Sequence, residues 1–257
     1  MKRDDRRQQI LDRLVRDGQV QLDLLAEDFG VSKMTIHRDL DDLETEGLLR
    51  KIRGGATIEA GTQFESDFRF RQMQGHEVKA RMASAAVELV EPGMTVMVND
   101  GSTATVLGAA LSAKRPLTVI TNNHAVIETL KAEPGITVIA LGGRFSAKYN
   151  AWVGRVTETA LAGLRADLVF ISTPAVADGC VYHMDDDITR VKRLMMDNAA
   201  RRVLLVNHLR LGHTALNLLA PLSDFESVIT DAVPAEHHAA MIADSGALLT
   251  VARRSGP

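Results

Sequence analysis

Apolar residues recur at helical spacing from the start of the chain. Ile10, Leu11, Leu14 and Val15 form an i, i+3, i+4 stripe within residues 3–17, and Gly18 ends that helix. Leu22, Leu24, Leu25, Ala26 and Phe29 give a second, shorter stripe closed by Gly30, since glycine enters a left-handed turn at least cost. Ser32 reads as the N-cap of a third helix whose apolar face is Ile36, Leu40 and Leu43, with Gly47 stopping it. Residues 48–52 then read as a strand, and Gly54-Gly55 as the hairpin turn or tip. Helix, turn, helix and strand hairpin together outline a winged helix-turn-helix over residues 1–57. Residues 60–75 have no clean period, which makes 58–76 a linker.

From residue 77 to 257 the texture alternates. Helical patterns at 80–89, 104–111, 125–131 and 188–200 interleave with short apolar strands at 95–99, 117–121, 136–141, 168–172, 202–207 and 227–230. That alternation predicts a mainly parallel, Rossmann-like α/β domain, its sheet covered on both faces. The fold class is therefore α/β: a winged helix-turn-helix head followed by a parallel-sheet body.

Charge qualifies the reading of the head. The chain carries a net charge of −3, and residues 1–57 hold eleven Lys or Arg against twelve Asp or Glu. Nucleic-acid binding must then rest on placement, with bases at Arg3, Arg6, Arg7, Lys33, Arg38, Arg50, Lys51 and Arg53 and acids concentrated between Asp39 and Glu46. In a helix-turn-helix the second helix enters the major groove N-terminus first, which nominates Ser32, Lys33, Met34, Thr35, His37 and Arg38. Lys33 and Arg38 suit guanine edges or phosphates, and Ser32 and Thr35 suit phosphate oxygens or bases. Arg50, Lys51 and Arg53 on the wing suit phosphates or an adjacent minor groove. A helical hairpin for protein contact, with a solvated basic edge, is the alternative that pattern leaves open.

In the body, candidate ligand chemistry gathers at strand ends, where loops expose backbone N–H groups and helix N-termini point inward. Asn99-Asp100-Gly101-Ser102-Thr103, Thr121-Asn122-Asn123 and Leu141-Gly142-Gly143-Arg144 each follow a strand, and together suit a phosphate or polyol. Each also reads as plain structure, a turn at Asp100-Gly101 or a helix cap at Ser102 or Thr103.

The segment Val31-Ser32-Lys33-Met34-Thr35-Ile36-His37-Arg38-Asp39-Leu40, then Leu43-Glu44-Thr45-Glu46-Gly47-Leu48-Leu49-Arg50-Lys51 and Gly54-Gly55-Ala56, resembles the signature of the DeoR family of bacterial repressors. The resemblance starts at Arg7-Gln8-Gln9-Ile10-Leu11 and continues through most of the body. It implies a sequence-specific repressor of a carbohydrate-metabolism operon, with an operator duplex and a phosphorylated sugar or polyol as partners. It also implies a body related in fold to ribose-5-phosphate isomerase, and a homodimer or homotetramer. The family's Asp-x-Gly-Thr-Thr loop corresponds to residues 99–103, its Thr-Asn pair to Thr121-Asn122, its Gly-Gly to Gly142-Gly143, and a family lysine to Lys192. The family often has Glu where Asp187 stands, which suggests contact with effector hydroxyls. The run Asp185-Asp186-Asp187 equally reads as acid offsetting a helix dipole.

Several positions depart from the family pattern. His37 replaces an arginine, Asn99 replaces the leading aspartate, and Asn207-His208-Leu209-Arg210 replaces an Asp-x-x-Lys. The glycine-rich stretch becomes Ser172-Thr173-Pro174-Ala175. Amides for carboxylates remove general-base capacity, and Arg210 suits a phosphate clamp. A sugar-phosphate isomerase with an accessory helical domain is the competing reading, with Asp100 its surviving base.

Other features add little chemistry. The single cysteine, Cys180, precludes an internal disulfide, and the mixed-charge start leads into no signal-peptide core, so a cytoplasmic protein is expected. Neither Cys180 with His183 nor His237-His238 reads as a metal site, the latter because neighbours on a helix point apart. Trp152 beside Tyr149 reads either as pocket lining or as packing. No Walker loop or nucleophile elbow is present, and no cofactor is expected.

Overall fold

A computed structural model describes residues 2–57 and 68–252. The chain divides into two compact units, 1–74 and 75–257.

In the first unit, helix α1 (Arg3–Asp17) leads into strand β1 (Gln19–Gln21), followed by α2 (Leu22–Phe29) and α3 (Lys33–Thr45). Strands β2 (Arg50–Ile52) and β3 (Gly55–Thr57) complete a three-stranded antiparallel sheet in the order β1-β3-β2, and α4 (Phe68–Met73) closes the unit. Ile10, Leu11 and Leu14 of α1 bury against Leu25, Ile36, Leu40, Leu43 and Leu48, so the expected helical stripes build one small core. Gly18 and Gly30 adopt the left-handed conformation that ends α1 and α2. Ser32 caps α3, its Oγ accepting from the Thr35 N–H at 3.1 Å.

Four expectations need correction in this unit. Leu24 lies outside the core, 53% exposed, because a helix of eight residues has one buried face. The strand starts at Arg50, with Leu48 and Leu49 turned into the core. Gly55 belongs to β3, and a Cβ there would lie 1.9 Å from the Val20 carbonyl oxygen, so β1 closes on the hairpin only over glycine. Within the span read as a linker, 58–67 fall outside the described residues, but 68–73 are helical. Phe70 on α4 is buried in the head's core, which is why this stretch is ordered despite its irregular pattern.

The second unit opens with α5 (His76–Val87), then β4 (Thr95–Val98), α6 (Ser102–Ala110), β5 (Leu117–Thr121), α7 (His124–Leu130) and β6 (Ile136–Ala140). A hairpin of β7 (Arg144–Ser146) and β8 (Ala151–Val153) precedes α8 (Arg155–Ala162) and β9 (Ala166–Ser172). Next come β10 (Ala175–Ala177), β11 (Cys180–His183), α9 (Asp186–Asp197), β12 (Ala199–Leu205), β13 (Asn217–Pro221), β14 (Ser227–Thr230), α10 (Glu236–Asp244) and β15 (Leu248–Val251). Seven strands form one parallel sheet, ordered β15-β14-β12-β9-β4-β5-β6, and β10, β11 and β13 form a separate antiparallel sheet.

Alternate sheet residues feed two apolar layers. Val96, Val98, Leu168 and Phe170 pack with Met82, Leu107 and Val126 of α5, α6 and α7. Met97, Val169 and Ile171 pack with Leu161, Met195 and Ile242 of α8, α9 and α10. Sequence order runs from β4 outward to β6, then returns to β9 on the other side of β4. The order therefore reverses between β4 and β9, the place where parallel sheets of this kind open a crevice at the strand C-termini.

Candidate functional site

On the first unit, the N-terminal turns of α3 present Ser32, Lys33, Met34, His37 and Arg38 to solvent, with Thr35 half-buried. Met34 is 60% exposed, an apolar side chain that no head packing claims. Lys33 pairs with Asp23 at 2.9 Å in an exposed contact of small worth. Arg50 and Arg53 are exposed on the wing, and Lys51 is half-buried with its ammonium on Asp41.

The acidic run is consumed internally. Arg6 of α1 reaches Asp39, Arg3 reaches Asp42, and Arg7 reaches Glu46. Arg3, Arg6 and Arg7, read from sequence as part of a basic face, therefore neutralise the back of α3, because the stripe that packs α1 on α3 also sets their charges opposite its acids. Among the described residues Arg38 and Arg53 have no acid within salt-bridge distance. An even charge count thus coexists with cationic groups on the exposed end of α3 and the wing.

On the second unit, the ends of β4 and β9 meet at the switch point. Asn99 is fully buried and clamps the two strands: its Oδ1 accepts from the Ser172 N–H at 3.1 Å, and its Nδ2 faces the Ser172 carbonyl at 3.4 Å. Lys192 projects from α9 beneath them, its Nζ donating to the Ser172 carbonyl at 2.9 Å and standing 3.4 Å from Asp100 Oδ1. Both side chains are about as buried as the core, at 2% and 1% exposure. Asp100 Oδ2 is buried without a hydrogen-bond partner among the described residues. Gly101, at φ +107, caps α6, so Ser102 and Thr103 carry first-turn N–H groups that have no intrahelical acceptor.

The remaining nominated residues tie loops together, pair with charges or cap turns. Thr121 donates to the Val98 carbonyl, and Asn122 Nδ2 donates to the Trp152 carbonyl, so both tie loops together. Asn123, the last residue of the Thr121-Asn122-Asn123 loop read from sequence, does more. Its Nδ2 lies within 3.3 Å of the carbonyls of Asn99 and Gly101, while its Oδ1 caps α7. The readable signal was its N-cap position before a helix. Ser172, quoted from sequence but not assigned to the site, is the other shared anchor. Gly142 offers its carbonyl to Thr157 Oγ1 at 2.6 Å, and a Cβ on Gly143 would lie 2.4 Å from that same oxygen. Arg144 pairs with Asp187, which also holds Arg190. Asn207 follows β12 and caps the turn His208–Arg210 by accepting from the Leu209 N–H, with Arg210 half-buried.

The discounted signals resolve as follows. His183 is buried and its Nδ1 accepts from the Asp185 N–H. The His237 and His238 rings do not point apart: their centroids are 3.9 Å apart, because His238 settles against Gly212 and its neighbour leans over it. Trp152 packs against Phe145 at 5.1 Å between centroids, and Tyr149 is buried with Val153 and Ile188. Among the described residues no group of three His, Cys, Asp or Glu side chains is placed to hold a metal, and no helix is long and apolar enough to cross a membrane.

Comparison with known proteins matches two family models: a DeoR-like helix-turn-helix domain over residues 6–61 and a DeoR C terminal sensor domain over residues 74–232. An uncharacterized HTH-type transcriptional regulator, YgbI, of Escherichia coli (strain K12) is 30% identical over 88% of this chain and 89% of its own length. The glycerol-3-phosphate regulon repressor of the same strain is 28% identical over 91% and 93%. Among solved structures, a D-ribose-5-phosphate isomerase in complex with phospho-erythronic acid covers 52% of this chain and 53% of its own at 13% identity, with a TM-score of 0.40.

Proposed function

This chain belongs to the DeoR family of transcriptional regulators, and from that premise we propose that it is a sugar-phosphate-responsive repressor whose head reads an operator duplex. The observation that carries the reading is the exposed N-terminal face of α3. Lys33, His37 and Arg38 stand free of the core on the helix that a helix-turn-helix lays in the major groove. Ser32, Met34 and Thr35 complete that face, and Arg50, Lys51 and Arg53 supply backbone contacts from the wing. An operator-binding protein works where the chromosome is, so the same reading puts it in the cytoplasm.

The effector belongs at the switch point. The N–H groups of Gly101, Ser102 and Thr103 take the phosphate, and the unpartnered Asp100 Oδ2 accepts from a hydroxyl that satisfies it. Lys192 stands beside Asp100, and Asn99, Asn123, Thr121, Asn122, Gly142 and Gly143 shape the loops. Arg210, Asn207, Arg144 and Asp187 supply the rim. Control follows by linkage, the effector favouring one arrangement of a homodimer or homotetramer and so shifting the spacing of paired heads on a two-fold operator.

We read the protein as a regulator without catalytic turnover. Asn99 and Asn207 carry amides where an isomerase needs a general base, and the Asp100 carboxylate faces a buried ammonium. A gel shift on the promoter of its own operon tests the assignment. Salt-sensitive binding that Lys33→Ala and Arg38→Ala abolish, and that a sugar phosphate modulates, is expected. Salt-insensitive binding, or measurable aldose–ketose turnover, overturns it.

A further inference from the structure

A cavity of the second unit lies away from the switch point. It has a volume of about 930 Å³ and is walled by α10, by the β10–β11 turn and by the chain around Gly212. Its polar side chains are the carboxylates of Asp178 and Asp244, the hydroxyls of Thr214, Ser223 and Ser245, and the imidazoles of His237 and His238. No lysine or arginine lines it among the described residues.

Charge and shape decide what fits. Two carboxylates without a cation repel a phosphate at this distance and accept hydrogen bonds from hydroxyls. The two imidazoles, tilted 48° to each other with centroids 3.9 Å apart, offer ring faces and edges to C–H groups, and burial together with His237 and His213 lowers the pKa of His238, favouring its neutral form. Acceptor carboxylates, hydroxyls and aromatic ring surfaces are the recognition set of a polyhydroxylated molecule. The volume is at the upper end for a small-ligand site.

We propose that this cavity is a second binding site, for an uncharged sugar or alditol, distinct from the phosphorylated effector at the strand ends. Its wall is continuous with the effector rim. Gly212 donates to the Val176 carbonyl at 2.8 Å, and the preceding turn is pinned by His208, whose N–H and Nδ1 lie 2.7 and 2.9 Å from the Asp231 carboxylate. Asn207 and Arg210 belong to this one short, fixed segment, so occupancy of the cavity reports directly to the effector loop.

Titration of the full chain with glucose, galactose, sorbitol and glycerol, followed by saturation-transfer NMR and calorimetry, tests the proposal. At least one of these binds the wild type. Asp178→Asn with Asp244→Asn weakens that binding about tenfold or more, the loss of one or two hydrogen bonds. Asparagine tolerates the left-handed backbone at position 178 (φ 50°), so the turn is retained. His237→Ala, on an exposed part of α10, weakens the same binding and serves if the aspartate pair does not fold. Saturating sugar phosphate does not displace the bound sugar from the wild type, which separates this cavity from the effector site, and no DNA enters the measurement, which separates it from any failure of the repressor reading. Binding of none of the four compounds, equal affinity in both cavity variants, or occupancy by zinc or spermidine alone overturns it.

Discussion

Arg6 on α1 and Asp39 on α3 form a two-point ion pair, Nε to Oδ2 at 2.5 Å and Nη2 to Oδ1 at 3.1 Å, with side chains only 9% and 2% exposed. The forked guanidinium matches the carboxylate edge, which fixes the rotation of α3 about its own axis as well as its distance from α1. Arg38, the neighbouring residue, therefore keeps its outward direction because Asp39 is held inward. Asp39→Ala strands a buried guanidinium and is expected to cost about 3 kcal/mol of head stability. Arg6→Met with Asp39→Leu restores much of the stability but loosens the aim of α3. Urea melts read the first effect, and a drop in operator affinity of the refolded double variant reads the second.

His37 stands on the exposed face of α3, two positions before Asp39. An imidazole lacks the permanently charged, forked set of donors that guanidinium offers. His37→Arg is therefore expected to tighten binding and to steepen its salt dependence by about one unit of log–log slope, one added phosphate contact. Gel shifts across a salt series measure both. An unchanged slope with tighter binding would place residue 37 on a base edge instead.

Much of this architecture was readable because it depends on short-range chemistry. The stripes at Ile10, Leu14, Ile36 and Leu40, the Ser32 cap and the strands at 117–121 and 227–230 all follow from local periodicity and punctuation. Elements fixed by long-range contacts were not readable. Strand β1 exists because Gly55 lets it approach, α4 because Phe70 finds the head core, and β10, β11 and β13 because they pair antiparallel with one another in a sheet outside the strand–helix alternation. The site behaves the same way. Asn99, Asp100, Gly101 and Lys192 were nominated from sequence and are brought together, whereas the bonding of Thr121 and Asn122 into neighbouring loops, and the bracing role of Asn123, depend on which loops fold beside them.

Lys192 supplies the positive charge beside Asp100, and the pair is closed to water. Lys192→Met leaves Asp100 charged and unpaired, so a loss of about 3 kcal/mol is expected in chemical melts, together with loss of the thermal shift given by sugar phosphates. Adding Asp100→Asn removes the stranded charge and recovers most of the stability but none of the effector response. Recovery of both would show that the pair acts only through folding.

The second unit also carries a pH dependence at His238. Burial, then the neighbouring charges of His237 and His213, lowers its pKa below the ordinary 6.5. In the unfolded chain the imidazole titrates near its ordinary value, so below that pH the unfolded state takes up a proton that the folded state resists. Stability from the neutral ring is therefore full above about pH 6.5 and is lost progressively as pH falls toward the depressed folded value. His238→Gln keeps a polar side chain against Gly212 but cannot titrate. Its denaturation midpoint should fall less steeply than that of the wild type between neutral pH and about pH 5. Parallel curves throughout that window would assign the acid sensitivity to other groups.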